Sequence, residues 1–364
     1  MSTLRGIFLS GGPAWIFVKF TTILFAAIAL SRLLPGPDRQ VPHYRPRPLL
    51  AAAKYAGGTV LIGLLVGACA VAVEHPAAPQ ATAAKPWVTH TVPPDAVGVF
   101  VPGDATSIAP TKAFAKATGV RPSIVLAYSA LTAPFNTGFA RQEIANGATP
   151  FIQLMPGNVS MAKVASGAED AQLREDAAQV RSLTEPVMLS FAPEANGNWY
   201  SWGWSHTPPT VWIAAWRHVV NVFRSDGAHN VTWVWTMNVP FKGSGPISDY
   251  WPGASYVSEV GIDGYYAHPT DTFSTLFGPI IADARKLSAR PVLISETAAG
   301  PDSGPRRETQ IQGLFSAVKT DHLVGFVWFD QTQNQGIYHQ NWRLEDDPTA
   351  LAAFRSAAKS NGMG

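Results

Sequence analysis

The residues with the clearest chemical potential lie in Ser190 to Trp204, SFAPEANGNWYSWGW. A carboxyl group, Glu194, closes the apolar run Pro186 to Phe191 and is followed at once by Asn196, Gly197, Trp199, Trp202 and Trp204. Pyranose rings present apolar C–H faces that stack on indoles, and cleaving the bond between two rings needs a proton donor at the bridging oxygen. The pattern therefore points to a sugar ligand. Such chemistry needs a second carboxyl group and a frame that holds both. Glu296, which ends the apolar run Pro291 to Ser295, is the candidate partner.

The elements that must position these acids can be read from Asp95 onward. Eight β-branched or apolar runs alternate with longer segments of helical composition: Val97 to Val101, Ser123 to Tyr128, Thr149 to Met155, Pro186 to Phe191, Asn230 to Thr236, Val257 to Tyr265, Pro291 to Ser295 and Leu323 to Phe329. Between them, Ala168 to Leu183, Pro208 to Ser225, Thr272 to Leu287 and Arg306 to Lys319 have helical spacing. Runs that are apolar throughout suit strands covered on both faces of a parallel sheet. Eight strand and helix units fit a (β/α)8 TIM barrel, which typically takes about 250 residues. An open doubly wound sheet is the alternative, disfavoured because no phosphate-binding glycine cluster follows the first strand.

Barrel enzymes carry their chemistry at the carboxyl ends of the strands. Those ends deliver Gln153 to Pro156 on strand three, Glu194 on four, Trp235 and Asn238 on five, Asp263, Tyr265 and Tyr266 on six, Glu296 on seven, and Trp328 and Asp330 on eight. Glutamates on strands four and seven face each other across the mouth. A retaining glycosidase needs two carboxyl groups about 5 to 5.5 Å apart, one to protonate the leaving oxygen and one to attack the anomeric carbon.

The segments SFAPEANGNWYSWGW, DYWPGASYVSEVGIDGYY and PVLISETAAG resemble the corresponding blocks of glycoside hydrolase family 26, and the likeness runs from about Val97 to Phe354. That family contains β-mannanases and some β-glucanases and β-xylanases, in a clan of TIM-barrel retaining enzymes. The resemblance implies Glu194 as acid/base and Glu296 as nucleophile. It implies Trp199 beside the acid, Asp263 and the nucleophile-contacting Tyr265 in a D-G-Y element, and Trp328 as an aromatic floor. One departure stands out. The family usually has histidine directly before the acid/base and an arginine a few residues earlier, whereas this chain has Pro193 and Leu189-Ser190. Loss of the histidine puts the acid's raised pKa and ordinary mannanase specificity in question, and the chain reads as a divergent member.

Of the remaining candidates, Asn196 and Asn238 are placed to bind a sugar hydroxyl or to cap turns. Trp202, Trp204, Trp251 and Trp342 are loop residues open to a role as sugar platforms, while Trp212, Trp216 and Trp233 have the spacing of core residues. His206, His268 and His339 are scattered, so no metal is expected, and the expected chemistry needs no cofactor.

The net charge is +2, but residues 1–85 hold eight Lys/Arg against two Asp/Glu, which leaves 19 against 23 in the remainder. A mildly acidic globular part argues against nucleic acid as a partner. Residues 1–73 contain two apolar stretches, Pro13 to Leu34 and Ala56 to Val73, separated by Arg39, Arg45, Arg47 and Lys54, and the positive-inside rule puts the chain beyond Val73 outside the cytoplasmic membrane. A two-span membrane anchor, a cleaved signal peptide and lipidation at Cys69 all lead to that placement. Residues 74–94, rich in Pro and Ala, read as a linker, and residues 95–360 as a monomeric catalytic domain acting on a polysaccharide or oligosaccharide. Pro193 and the anchor raise two rivals to a hydrolase: a cell-surface barrel that binds glycan without cleaving it, and a transglycosylating enzyme of envelope assembly. The sugar, its linkage and the mode of attack are not legible in the sequence.

Overall fold

The computed structural model describes residues 92–333 and 340–363. The two apolar stretches, Cys69 and the linker up to residue 91 lie outside the described residues, as does His339. Among the described residues, no helix is long and apolar enough to cross a membrane.

Eight parallel strands close on themselves in sequence order. They are β1 (Ala96–Phe100), β2 (Ile124–Ala130), β3 (Thr149–Met155), β4 (Val187–Phe191), β5 (Val231–Asn238), β6 (Glu259–Asp263), β7 (Val292–Thr297) and β8 (Gly325–Phe329). Each overlaps one of the apolar runs. Strands β1, β4, β6, β7 and β8 are buried along their whole length, as expected where side chains point alternately into the barrel and into a surrounding helical layer.

The helices are α1 (Ala109–Thr118), α2 (Thr137–Ala145), α3 (Met161–Ala165), α4 (Asp170–Arg181), α5 (Pro209–Ser225), α6 (Phe273–Leu276), α7 (Gly278–Leu287), α8 (Arg307–Thr320) and α9 (Pro348–Asn361). The expected helix Thr272 to Leu287 is two, because Pro279 lacks the N–H and crowds the preceding turn, so the chain breaks at Phe277 and restarts at Gly278 with that proline in its first turn. Between β5 and β6 only short 3-10 turns occur, at Ile247–Tyr250 and Ala254–Tyr256. A small antiparallel pair, β9 (Thr332–Gln333) and β10 (Gln340–Asn341), comes after β8.

Trp212, Trp216 and Trp233 are fully buried, as their spacing suggests. The first two also support the site. Trp212 reaches from α5 to donate its indole N–H to the Ala192 carbonyl at 3.2 Å, just beyond β4. Trp216 stacks on it with ring centroids 5.3 Å apart.

The barrel seals where β1 meets β8, with Ala96 opposite Gly325. A Cβ on Gly325 would stand 2.0 Å from the Ala96 carbonyl oxygen, and a backbone atom cannot swing aside. Gly325→Ala should therefore cost at least about 2 kcal/mol, the upper part of the usual overpacking range, read as a lower midpoint in urea unfolding.

Candidate active site

Past the end of β4 the backbone turns sharply. Ala192 and Glu194 both adopt left-handed conformations, φ 46° and 56°, on either side of Pro193. The Ala192 N–H still donates to Leu154 of β3 at 3.0 Å, whereas the Glu194 N–H donates to Thr236 of β5 at 2.9 Å. Two such residues so close together are strained, and strain of this kind persists only when neighbours over-determine it. Here the neighbours are the Trp212 bond to Ala192, a 2.8 Å bond from Trp202 Nε1 to the Pro193 carbonyl, and a ladder between Asn196 and Asn238. In that ladder Asn196 Nδ2 donates to the Asn238 carbonyl at 2.7 Å and accepts at Oδ1 from the Asn238 N–H at 2.9 Å. The kink aims the Glu194 side chain into the barrel mouth.

The Glu194 carboxyl accepts from Asn238 Nδ2 at 2.6 Å and from Trp199 Nε1 at 3.0 Å. Across the mouth, Glu296 Oε1 accepts from the Tyr128 hydroxyl on β2 and from Gln153 Nε2 on β3 at 3.0 Å, while Oε2 accepts from the Tyr265 hydroxyl at 2.6 Å. An aromatic wall surrounds this acid. Tyr265 stacks on Trp342 at 4.4 Å, and Phe329 stacks on Phe100 at 4.4 Å, with Tyr128 edge-on to Phe100.

Burial pushes Glu296 up from its ordinary 4.5 to about 8, helped by repulsion from Glu194 and opposed by its three donors. Burial also raises Glu194, opposed by Asn238, Trp199 and Tyr200. Two buried acids that repel one another lose their protons in two steps that belong to the pair. Two phenols and an amide favour the anion on Glu296. Glu194 meets an amide, an indole and, with a smaller effect, the Tyr200 phenol. Phenols are the more acidic donors, so we place the first negative charge on Glu296 and the shared proton on Glu194. Burial likewise pushes the Tyr128 and Tyr265 phenols well above 10, so they remain donors.

Asp263 is a third acid, fully buried, with Oδ1 2.5 Å from Ser295 Oγ. Burial first, then repulsion from Glu296 and Glu194, push it well up. It lies out of reach of a sugar, contrary to its expected binding role.

Three other expectations need correction. Trp328 is no floor: on β8 its neighbour Phe329 faces inward, so Trp328 faces the helical layer, edge-on to Phe354 of α9 at 5.7 Å, with its indole N–H on the Trp342 carbonyl at 3.1 Å. Trp202 is 2% exposed and lies flat against Tyr200 at 4.2 Å, a support for that ring instead of a sugar platform. Asn196 has its amide committed to Asn238 and is not free for a hydroxyl. By contrast Trp199, Asn238 and Tyr265 converge on the two carboxyl groups with Glu194 and Glu296.

Tyr128, Tyr200 and Phe329 join the site without having been expected there, and Gln153 was expected only as a strand-end residue. Tyr128 and Gln153 carry a readable signal, since a polar side chain within an otherwise apolar buried strand must find a partner. Among the described residues no group of three or more His, Cys, Asp or Glu could hold a metal ion.

The sequence model of glycosyl hydrolase family 26 matches residues 154–296, a span that includes both glutamates. Endoglucanase H of Acetivibrio thermocellus is 30% identical over 225 residues, 58% of this chain and 24% of that protein. Mannan endo-1,4-beta-mannosidase A and B of Caldalkalibacillus mannanilyticus is 30% identical over 102 residues, 25% of this chain and 19% of that protein. The chain thus spans about a quarter or less of the curated relatives it matches. The catalytic domain of a Bacillus sp. JAMB-750 endo-beta-1,4-mannanase of the same family superposes with a TM-score of 0.58 at 18% identity, over 74% of this chain and 87% of that one. A Cellulomonas fimi endo-beta-1,4-mannanase superposes with a TM-score of 0.57 at 15% identity, over 72% and 70%. At such identities the superpositions speak for the barrel alone. The family-model match and the two curated relatives support a likeness to glycosyl hydrolase family 26.

The raised pKa values of the pair set a pH dependence of stability. Burial and mutual repulsion lift both acids above the ordinary 4.5, so above that pH the folded pair binds more protons than the unfolded chain; its contribution is intact below pH 4.5 and is lost as pH rises and the pair gives up its second proton. Glu296→Gln removes the repulsion and with it much of that loss. Its urea midpoint should match the wild type near pH 4.5 and exceed it at pH 8.5, and equal midpoints at both values would contradict the raised pKa.

Proposed function

We propose that the chain is an endo-acting, retaining glycoside hydrolase that cleaves β-linkages in a mannan-like or related β-glycan. The observation that supports this most is the unequal pair of carboxyl groups at the ends of β4 and β7, one fitted to hold a proton and the other to carry charge. In the first step Glu194 gives its proton to the bridging oxygen while Glu296 attacks the anomeric carbon. The carbon–oxygen bond to the departing sugar breaks with its electrons on that oxygen, and a glycosyl ester forms on Glu296. In the second, Glu194, now a carboxylate, takes a proton from water as the water oxygen attacks the anomeric carbon and Glu296 leaves. Tyr128, Gln153 and Tyr265 hold Glu296 in line, and Asn238 and Trp199 hold Glu194. The substrate class leans on the names of the relatives, an endoglucanase and a mannan endo-1,4-beta-mannosidase.

The missing histidine before the acid does not leave Glu194 with an ordinary pKa, because burial alone raises it. We also propose that the basic and apolar leader delivers the barrel outside the cytoplasmic membrane, supported by its charge pattern alone.

A screen of polysaccharides with the full chain tests the activity. Glu296→Ala should abolish turnover of an activated aryl glycoside, with azide restoring a product of inverted configuration. Glu194→Ala should slow substrates with poor leaving groups about 10²- to 10⁴-fold and good ones far less. Undiminished turnover in Glu296→Ala would remove the nucleophile assignment. Binding without cleavage by the wild-type chain would favour the glycan-binding barrel.

A further inference from the structure

Phe241 is the large apolar side chain that stands exposed among the described residues, at 37%. It sits on a closed turn just beyond β5. The Ser244 N–H donates to the Phe241 carbonyl at 3.0 Å, the Phe241 N–H donates to Ser244 Oγ at 3.1 Å, and Gly243 supplies the φ of 100° that the turn needs. The turn is fastened to the loop that carries Glu194. The Gly245 N–H donates to the Asn196 carbonyl at 2.9 Å, and the Trp204 ring lies only 2.1 Å from where a Cβ on Gly245 would stand. Phe241 is therefore held in place relative to Glu194.

Its ring leans on Trp199, with centroids 5.2 Å apart and planes at 35°, and the Trp199 indole N–H is bonded to Glu194 Oε2. A continuous aromatic surface thus runs from the Glu194 carboxyl outward to solvent. The residues that touch Glu296 take no part in it. A group that protonates the bridging oxygen has the departing sugar on its own side, and apolar ring faces of sugars stack on aromatic side chains. Isolated exposed apolar residues are common on protein surfaces. This one differs in being fixed by the hydrogen bonds that also fix the acid's loop.

Resting on the hydrolase reading above, we infer that Phe241, continuing the face of Trp199, is the platform for the departing ring, a β-linked hexopyranose, and sets how strongly that ring is held. The substrate chain would run outward over the turn at 241–244.

The test uses the full chain with mannopentaose, cellopentaose and the corresponding short glycosyl fluorides. Fluoride departs without a sugar ring, so the ratio of pentasaccharide to fluoride kcat/KM isolates the departing-ring subsite. Phe241→Ala should lower this ratio about tenfold, chiefly through KM, and Phe241→Tyr should restore it. An unchanged ratio in Phe241→Ala overturns the inference. If the wild-type chain turns over none of these compounds, the hydrolase reading fails, and pentasaccharide binding monitored by tryptophan fluorescence decides the subsite alone. A tenfold weaker affinity in Phe241→Ala then supports it, while equal affinity, or no binding by the wild type, overturns it.

Discussion

The site depends on one electrostatic constraint: two carboxyl groups, screened from water by aromatic rings, cannot both be ionised without large cost. Isolated, exposed acids would each titrate near 4 and give two anions at neutral pH. Burial removes the solvation that permits this, and repulsion from the partner raises whichever proton remains. Chemistry that needs one acid and one base is then a question of which oxygen keeps the proton. The surrounding side chains answer it through the kind of donor they offer, with Tyr128 and Tyr265 on Glu296 and Asn238 and Trp199 on Glu194. Those donors are all neutral. A cation beside either acid would pull its pKa down and lessen the coupling, so a neutral cradle and a shared proton go together.

Such sorting works only if the donors do not move. The fold meets this by tying the Glu194 loop to two other elements and to itself. Trp212 on α5 holds the Ala192 carbonyl from outside the barrel, the Asn196 and Asn238 ladder holds it to the end of β5, and Trp202 holds Pro193 from within the loop. Pro193 fits this scheme physically. It has no N–H to satisfy in a tight place, its φ is fixed, and its carbonyl serves as an anchor. What a side chain at that position would add to the site is given up for rigidity, and the Tyr200 ring, lying flat on Trp202, brings a hydroxyl to the same acid.

Much of this was legible in the sequence, for a definite reason. Strands buried on both faces must be apolar from end to end, so all eight runs stand out, and the residue that ends each run lies at the mouth. That logic located Glu194 and Glu296, and with them Asn238 and Tyr265. It failed where the direction of a side chain mattered more than its position along the strand. Trp328 and Phe329 are adjacent and both aromatic, and only closure of β8 against β1 decides that Phe329 points inward to Phe100. It also failed for Asn196, whose two bonds to Asn238 bridge residues 42 apart in sequence. Tyr128 and Gln153 fall between these cases, since each is polar inside an apolar strand and so advertised a buried partner without naming it.

The same distinction explains why likeness to a glycoside hydrolase family comes through at low identity while the sugar does not. The acids, their donors and the loop that aims one of them belong to the barrel's strands and the first residues beyond them, where burial and register leave few alternatives. The surfaces that would hold the rest of a polysaccharide belong to longer connections, and there the constraints are local turns such as the one closed by Ser244 on Phe241. Such a turn is closed by its own hydrogen bonds and lies apart from the donors through which the carboxyl pair shares its proton. Divergence in substrate can therefore accumulate on this barrel while the electrostatic core of the site stays the same.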